Sequence, residues 1–249
     1  MTIKNGILEY IKRSKYFSLS SLIKEKKVDA RVAKNYLLTF KKQGIIFEAG
    51  RGAYTTLKRE FQISSVSRVE TIARLLKKSF PFADFIIWDT RQLQSLYHHT
   101  QAHHLTFIET EKELLYPFFE AISKNYRDVF VERRSRSYLG KLPISSNPVV
   151  VRRMIRRSPH KGIIASLEKI LVDMFVDLNL YKYISETDYW QIWRELCSQY
   201  RINIGTVVGY SRRRKCFKVL FPQLTENNIF TDVTFGAYFN EVAKVIKKQ

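Results

Sequence analysis

The chain has 249 residues, of which 45% are apolar, and a formal net charge of +20. That length suits one large or two small domains, and the apolar fraction excludes intrinsic disorder as the general state. No run approaches the ~18–20 apolar residues of a membrane span, and the sign and size of the charge make a polyanionic partner the first hypothesis.

Three helices are predicted in the first sixty residues, which contain 14 basic and 5 acidic residues. Each predicted helix follows a residue that can cap its N-terminus, and its apolar residues recur at helical spacing. Gly44, which is free to adopt a positive φ, ends the third helix. The predicted helices are Ile3–Ser14 after Thr2, a short helix after Ser18, and Ala30–Gln43 after Asp29.

A β-hairpin is predicted next, because Ile45–Glu48 and Ala53–Thr56 are β-prone and Ala49–Gly52 between them contains two glycines. Three helices followed by a glycine-rich hairpin is the element order of a winged helix-turn-helix. We therefore predict a winged helix-turn-helix DNA-binding domain over residues 1–60. The alternative is a winged-helix domain that binds protein or only packs, with its lysines as a solvated face.

The third helix of a winged helix-turn-helix lies in the major groove of DNA. The face of this helix opposite its apolar residues is basic and polar. Residues near the helix start are placed to contact base edges, whereas those near its end and at the wing tip are placed to contact phosphate. The predicted base-contacting residues are Arg31, Lys34 and Asn35, and the predicted phosphate-contacting residues are Lys41, Lys42 and Arg51.

Beyond residue 67, short apolar runs of strand length alternate with helical segments, which is typical of an α/β sheet covered on both faces. We predict an α/β fold class (α+β overall), with a second domain over residues 67–249 that ends in a helical layer. The predicted strands are 85–88, 105–108, 129–131 and 148–151. The predicted later helices are Ser166–Leu180, Asp188–Tyr200, Gly205–Arg214 and the last fifteen residues.

Neither the cysteines nor the histidines form a persuasive metal-binding motif. Cys197 and Cys216 lack metal-ligand and redox-motif spacing, which excludes a disulfide scaffold and a Cys-rich zinc module. The first thirty residues carry Lys and Arg throughout and show no signal-peptide pattern, so we predict a cytoplasmic location. His99 and His103 would share one face of a helix, but a third ligand is not evident and no Glu lies between them as in zincins. We therefore predict no metal and no other cofactor.

Three acidic residues leave an enzymatic alternative open. Asp84, Glu109 and Glu111 are placed rather like the carboxylates that bind Mg²⁺ in a restriction-endonuclease-like core. That motif requires an acid, one residue and then Lys, whereas Lys112 falls one residue late, on the opposite side of a strand. We therefore predict that the protein is not an enzyme. A Mg²⁺-dependent nuclease with a winged-helix targeting domain is the alternative.

Arginine dominates three further basic clusters, and its planar guanidinium suits phosphate. These clusters could extend a DNA footprint, dock an acidic partner protein or form solvated faces. We predict a possible second basic surface from the second and third of them. The clusters are Arg133, Arg134 and Arg136; Arg152, Arg153, Arg156 and Arg157; and Arg212, Arg213, Arg214 and Lys215.

Four segments have a sequence pattern that can be compared with known families. They are the hairpin segment 43–54, Ile87–Thr90, Ala165–Asp173 and Asn203–Gly205. Their pattern resembles that of AbiEi-type antitoxins of type IV toxin-antitoxin systems, and the likeness spans most of the chain. The Ser-Leu-Glu-Lys run that begins at Ser166 is its most distinctive part.

The resemblance implies that the winged helix binds repeats in its own promoter and represses the operon, with Arg31, Lys34, Asn35 and Arg51 at the operator. It also implies that the region after residue 67 counters a nucleotidyltransferase-type toxin. We therefore predict a transcriptional autorepressor and antitoxin, with double-stranded DNA and the cognate toxin as partners and no membrane. A protein-interaction module whose charge serves only solubility is a third possibility.

The same resemblance draws attention to two acids of the Ala165–Asp173 segment. Glu168 and Asp173 lie five residues apart on one predicted helix. We expect them to be structural or partner-facing rather than catalytic.

Overall fold

The computed structural model of the chain describes residues 2–97, 104–132, 147–181 and 183–230, together with Phe235 and Tyr238. The chain forms two compact units, and the first is discontinuous in sequence. It combines Met1–Phe61 with Trp190–Gln249, whereas the second consists of Gln62–Tyr189. The predicted second domain, residues 67–249, is thus divided, because its residues from Trp190 onward belong to the same unit as the first sixty.

The first unit begins with three helices whose starts are fixed by side-chain caps. The side chains of Thr2, Ser18 and Asp29 accept hydrogen bonds from backbone N–H groups in the first turns, as the sequence predicts. The helices are α1 (Ile3–Arg13), α2 (Leu19–Lys26) and α3 (Ala30–Lys42). They enclose a core that includes Ile7, Ile11, Leu22, Leu37 and Phe40.

A three-stranded antiparallel sheet completes this first part of the unit. Its strands are β1 (Tyr16–Ser18), β2 (Phe47–Glu48) and β3 (Ala53–Thr55), in the order β1-β3-β2. The predicted hairpin is confirmed, and Gly44 before it has a φ of +69°. The sequence did not indicate β1, because three residues between two helices have no strand pattern without their partner β3.

The second unit is built on a six-stranded mixed sheet in the order β6-β7-β5-β4-β9-β8. The central pair, β4 and β5, is antiparallel, and the pairs β5–β7, β6–β7 and β4–β9 are parallel. The strands are β4 (Phe85–Asp89), β5 (Thr106–Thr110), β6 (Val129–Val131), β7 (Val149–Arg153), β8 (His160–Lys161) and β9 (Ile164–Ala165).

Helices cover both faces of this sheet, and the predicted α+β class is confirmed. On one face, α4 (Ser67–Ser79) and α5 (Leu115–Ser123) pack against apolar residues that include Ile87, Ile108 and Val151. Side chains of alternate residues point to the other face, where α6 (Leu167–Tyr181) lies. There the ring of Phe107 is 5.5 Å from that of Tyr181.

Up to residue 230, where the continuous description ends, three helices follow α6, namely α7 (Glu186–Gln199), α8 (Ile204–Arg213) and α9 (Phe217–Glu226). The boundary between the two units falls within α7, before Trp190. The last part of the chain is anchored on β1 by Tyr16, whose hydroxyl donates to the carbonyl oxygen of Tyr200 and accepts from the Ile202 N–H at 2.7 Å. In the part of the chain that the structure describes, no helix is long and apolar enough to cross a membrane.

Candidate nucleic-acid interface

The turn that joins α2 to α3 consists of three residues, 27–29. Lys27 ends α2 in the left-handed conformation, with a φ of 50°. Two residues later, Asp29 Oδ1 accepts from the Arg31 N–H at 2.8 Å and from the Val32 N–H at 3.2 Å. A turn of three to four residues between two helices is one feature of the helix-turn-helix motif.

The helix α3 has two distinct faces. Its inner residues Ala33, Leu37 and Phe40 are almost fully buried. The residues at the complementary positions form one outward row along the helix. Among them, the predicted base-contacting residues Arg31, Lys34 and Asn35 are all exposed, as are Leu38 and Lys42.

Leu38 was not among the predicted site residues, and its side chain is 54% exposed. It lies one turn beyond Lys34 and Asn35 on the same outward row. Apolar side chains at such positions contact the methyl group of thymine in the major groove. The helical period was sufficient to place Leu38 on this face, because it falls seven residues after Arg31.

Lys41, a predicted phosphate contact, has a partner within the protein. Its ammonium forms an ion pair with Glu48 on β2, and both side chains remain exposed. Exposed pairs of this kind are worth little, typically below ~1 kcal/mol. Lys41 therefore links α3 to the hairpin. Of the two basic residues at the end of the helix, it is less available than Lys42 for a contact with phosphate.

The tip of the hairpin is packed on one side by the start of α8. A Cβ atom built on Gly50 would lie 2.4 Å from the Gly205 backbone nitrogen, and the Gly205 N–H donates to the Ala49 carbonyl at 3.2 Å. Gly50 also has a φ of +123°. Arg51, which was predicted to lie at a wing tip, is exposed at the tip of this hairpin, where the start of α8 contacts the backbone.

The predicted second basic surface needs one correction. Arg152 is only 1% exposed and points into the second unit, whereas Arg153, Arg156 and Arg157 are exposed. The other cluster, in the first unit, lies over aromatic rings: the guanidiniums of Arg212 and Arg213 are 5.5 Å from the Phe217 ring and 5.7 Å from the Tyr210 ring. Arg133, Arg134 and Arg136 lie outside the described residues.

Arg152 is the centre of a buried ion cluster between the sheet and α6. It lies opposite Glu109 in the β5–β7 register, and its Nη2 is 2.7 Å from Glu109 Oε1. Nη1 is 2.7 Å from Asp177 and Nη2 is 3.0 Å from Asp173. Lys169 Nζ is 2.6 Å from Glu109 Oε1 and also pairs with Asp173. All five side chains are at most 1% exposed.

This cluster keeps Arg152 charged despite its burial. Burial lowers the pKa of the guanidinium, but Asp177, Glu109 and Asp173 together outweigh it and raise that pKa well above its ordinary value. The guanidinium also lies 4.6 Å above the Phe107 ring. Of the two expected roles for Asp173, structural or partner-facing, its place in this cluster fits the structural one. Arg152 was predicted only as part of an exposed basic surface.

The acids of the nuclease alternative differ sharply in environment. Glu109 is buried beneath the cations of the ion cluster, whereas Asp84 and Glu111 are exposed. Within the described ranges, no group of three His, Cys, Asp or Glu side chains is arranged to hold a metal ion. The predicted pair His99 and His103 lies outside those ranges.

Comparison with protein families assigns most of the chain to a family. The model of DUF6577, described as a family of unknown function, matches residues 32–230. The match begins in the first turn of α3 and continues through the hairpin, the six-stranded sheet and α6 to α9. No curated protein matches the chain. Since the match covers well over half of its length, the chain belongs to the DUF6577 family.

Proposed function

We propose that this protein binds double-stranded DNA through α3 and represses transcription from its own promoter. The observation that supports the proposal most is the exposed row of Arg31, Lys34 and Asn35 on α3. These three side chains lie in the N-terminal half of α3, and in a helix-turn-helix that part of the second helix contacts base edges in the major groove. The antitoxin role stays a prediction of the resemblance to AbiEi-type proteins.

The chemistry of this row matches the edges of base pairs in the major groove. A guanidinium such as that of Arg31 donates two hydrogen bonds to guanine, and a carboxamide such as that of Asn35 pairs with adenine. Leu38, one turn further along, provides an apolar contact for thymine. An interface of this composition can distinguish base sequences.

The surrounding charge provides affinity that does not depend on base sequence. Residues 1–60 contain 14 basic and 5 acidic residues, and Lys42 and Arg51 are exposed at the end of α3 and at the wing tip. Contacts between such cations and phosphates release counterions, so affinity falls as salt concentration rises. We therefore expect binding at low salt to any duplex and selective binding at higher salt.

Arg31→Ala and Lys42→Ala are expected to affect DNA binding in different ways. Loss of Arg31 should weaken binding to the promoter fragment of its own gene by about 1–3 kcal/mol and reduce discrimination against a shuffled fragment. Loss of Lys42 should weaken binding to both fragments alike and make the dependence on salt less steep. Fluorescence anisotropy with both duplexes, measured over a range of KCl concentrations, tests both expectations.

Lys218→Ala is the matched control for these variants. Lys218 is exposed on α9 in the same unit, so its removal changes the net charge equally without altering α3. An equal loss for Arg31→Ala on the promoter and the shuffled fragment would contradict the assignment of Arg31 to a base. Full retention of binding in an Arg31→Ala, Lys34→Ala, Asn35→Ala triple variant would contradict the proposed function.

A further inference from the structure

A cavity of about 290 Å³ lies within the first unit, away from the outward face of α3. One wall is the segment Arg13–Tyr16 between α1 and β1, and a second is the C-terminal half of α7. Residues 228–230, which follow α9, form the third. Its volume is close to the lower end of the range of ligand pockets, ~300–1,000 Å³, so it suits a small molecule.

Three cationic side chains line this cavity, namely Arg13, Lys15 and Arg194, and no carboxylate does so among the described residues. Arg13 pairs with Glu25. Lys15 Nζ donates to the Ser198 carbonyl at 3.1 Å, and Arg194 Nε donates to Gln191 Oε1 at 3.0 Å. Both hydrogen bonds have neutral acceptors.

The charges of Lys15 and Arg194 are therefore not neutralised locally. In the described part of the chain, neither has a carboxylate oxygen within 4.0 Å. Each also keeps N–H donors beyond the one that is used, because an ammonium has three and a guanidinium five. Two uncompensated cations at one opening favour a ligand with two negative charges.

Beside the neutral polar residues Ser14, Ser198 and Asn228, the cavity has an apolar part. Phe230 is 2% exposed, and its ring lies 5.9 Å from that of Tyr16. Burial raises the pKa of the Cys197 thiol, so this side chain is neutral and acts as a small apolar group. Ile229 completes the apolar lining.

We propose that this cavity binds a small phosphate monoester with a ring-sized apolar group. The phosphate would contact Lys15 and Arg194, where charge-assisted hydrogen bonds are strongest, and the ring would pack against Ile229, an apolar residue of the lining that is partly exposed. The site is separate from α3, and its occupation does not depend on whether the protein binds DNA.

Calorimetric titration of the full chain with phenyl phosphate tests the proposal. Phenyl phosphate is expected to bind, whereas inorganic phosphate and phenol, which each supply half of the ligand, should bind at least about tenfold more weakly. Lys15→Gln and Arg194→Gln should each weaken phenyl phosphate binding by about tenfold or more, as expected for a lost charge-assisted hydrogen bond. Circular dichroism checks that both variants fold.

A matched variant separates this site from general attraction of anions. Lys218→Gln removes an exposed charge elsewhere in the unit and should leave phenyl phosphate binding unchanged. The proposal is overturned if phenyl phosphate fails to bind at millimolar concentration or binds no better than inorganic phosphate. It is also overturned if binding survives in folded Lys15→Gln and Arg194→Gln. None of these measurements involves DNA, so failure here and failure of the proposed function are distinguishable.

Discussion

Replacing Arg152 by Met is expected to lower the free energy of unfolding of the second unit by about 3–5 kcal/mol. Met retains much of the apolar packing beside Phe107 but removes the guanidinium, so Glu109, Asp173 and Asp177 are left with Lys169 as the only cation of the cluster. Buried carboxylates that lose their counter-charge are costly. Hydrogen exchange of the β5 and β7 amides measures the effect within this unit.

Arg153→Met is the control, because Arg153 is the exposed neighbour on the same strand. It should change the free energy of unfolding by less than about 0.5 kcal/mol. Adding Glu109→Gln and Asp177→Asn to Arg152→Met should recover part of the loss, since unpaired charges are then removed. A loss below about 1 kcal/mol for Arg152→Met would show that the cluster contributes little to stability.

Gly50→Ala is expected to destabilise the first unit by about 2–4 kcal/mol. The new Cβ would lie 2.4 Å from the Gly205 nitrogen and 2.7 Å from its Cα, on a backbone with a φ of +123°. Both the positive φ and the contact with backbone atoms are unfavourable, and neither atom can move as the end of a flexible side chain could. Hydrogen exchange of the β3 and α8 amides reports the loss.

Gly44→Ala separates the destabilisation caused by the positive φ from the destabilisation caused by the contact with Gly205. Gly44 has a φ of +69° but no atom within 4 Å of a built Cβ, so only the conformational cost of about 1 kcal/mol applies. If Gly50→Ala and Gly44→Ala lower the free energy of unfolding equally, the contact between the hairpin and α8 does not contribute to the cost of the Gly50 substitution. A larger loss for Gly50→Ala, together with faster exchange in α8, would support the close approach to Gly205.

The sequence was most informative where structure is determined locally. The N-caps Thr2, Ser18 and Asp29 begin their helices as predicted, and the predicted helix Ala30–Gln43 differs from α3 by one residue. Capping depends on hydrogen bonds within one turn, and the two faces of α3 depend on its own period. The exposed positions of Arg31, Lys34 and Asn35 were therefore predictable without knowledge of the fold.

Contacts between distant segments were not predictable in this way. Arg152 belongs to an arginine-rich run and looked exposed, yet its three carboxylate partners lie 43 residues before it and 21 and 25 residues after it. One signal was present: Lys169, Asp173 and Asp177 recur every four residues on α6 among mostly apolar residues. Three charges on one buried stripe of a helix indicate partners from another element.

The discontinuity of the first unit has a consequence for its synthesis. The ribosome releases residues 1–61 long before Tyr200 and Gly205, which contact β1 and the hairpin tip. A nascent or prematurely terminated chain therefore has β1 and the hairpin without the segments that contact them. The backbone at the hairpin tip gains its contact with Gly205 only after translation has passed the start of α8.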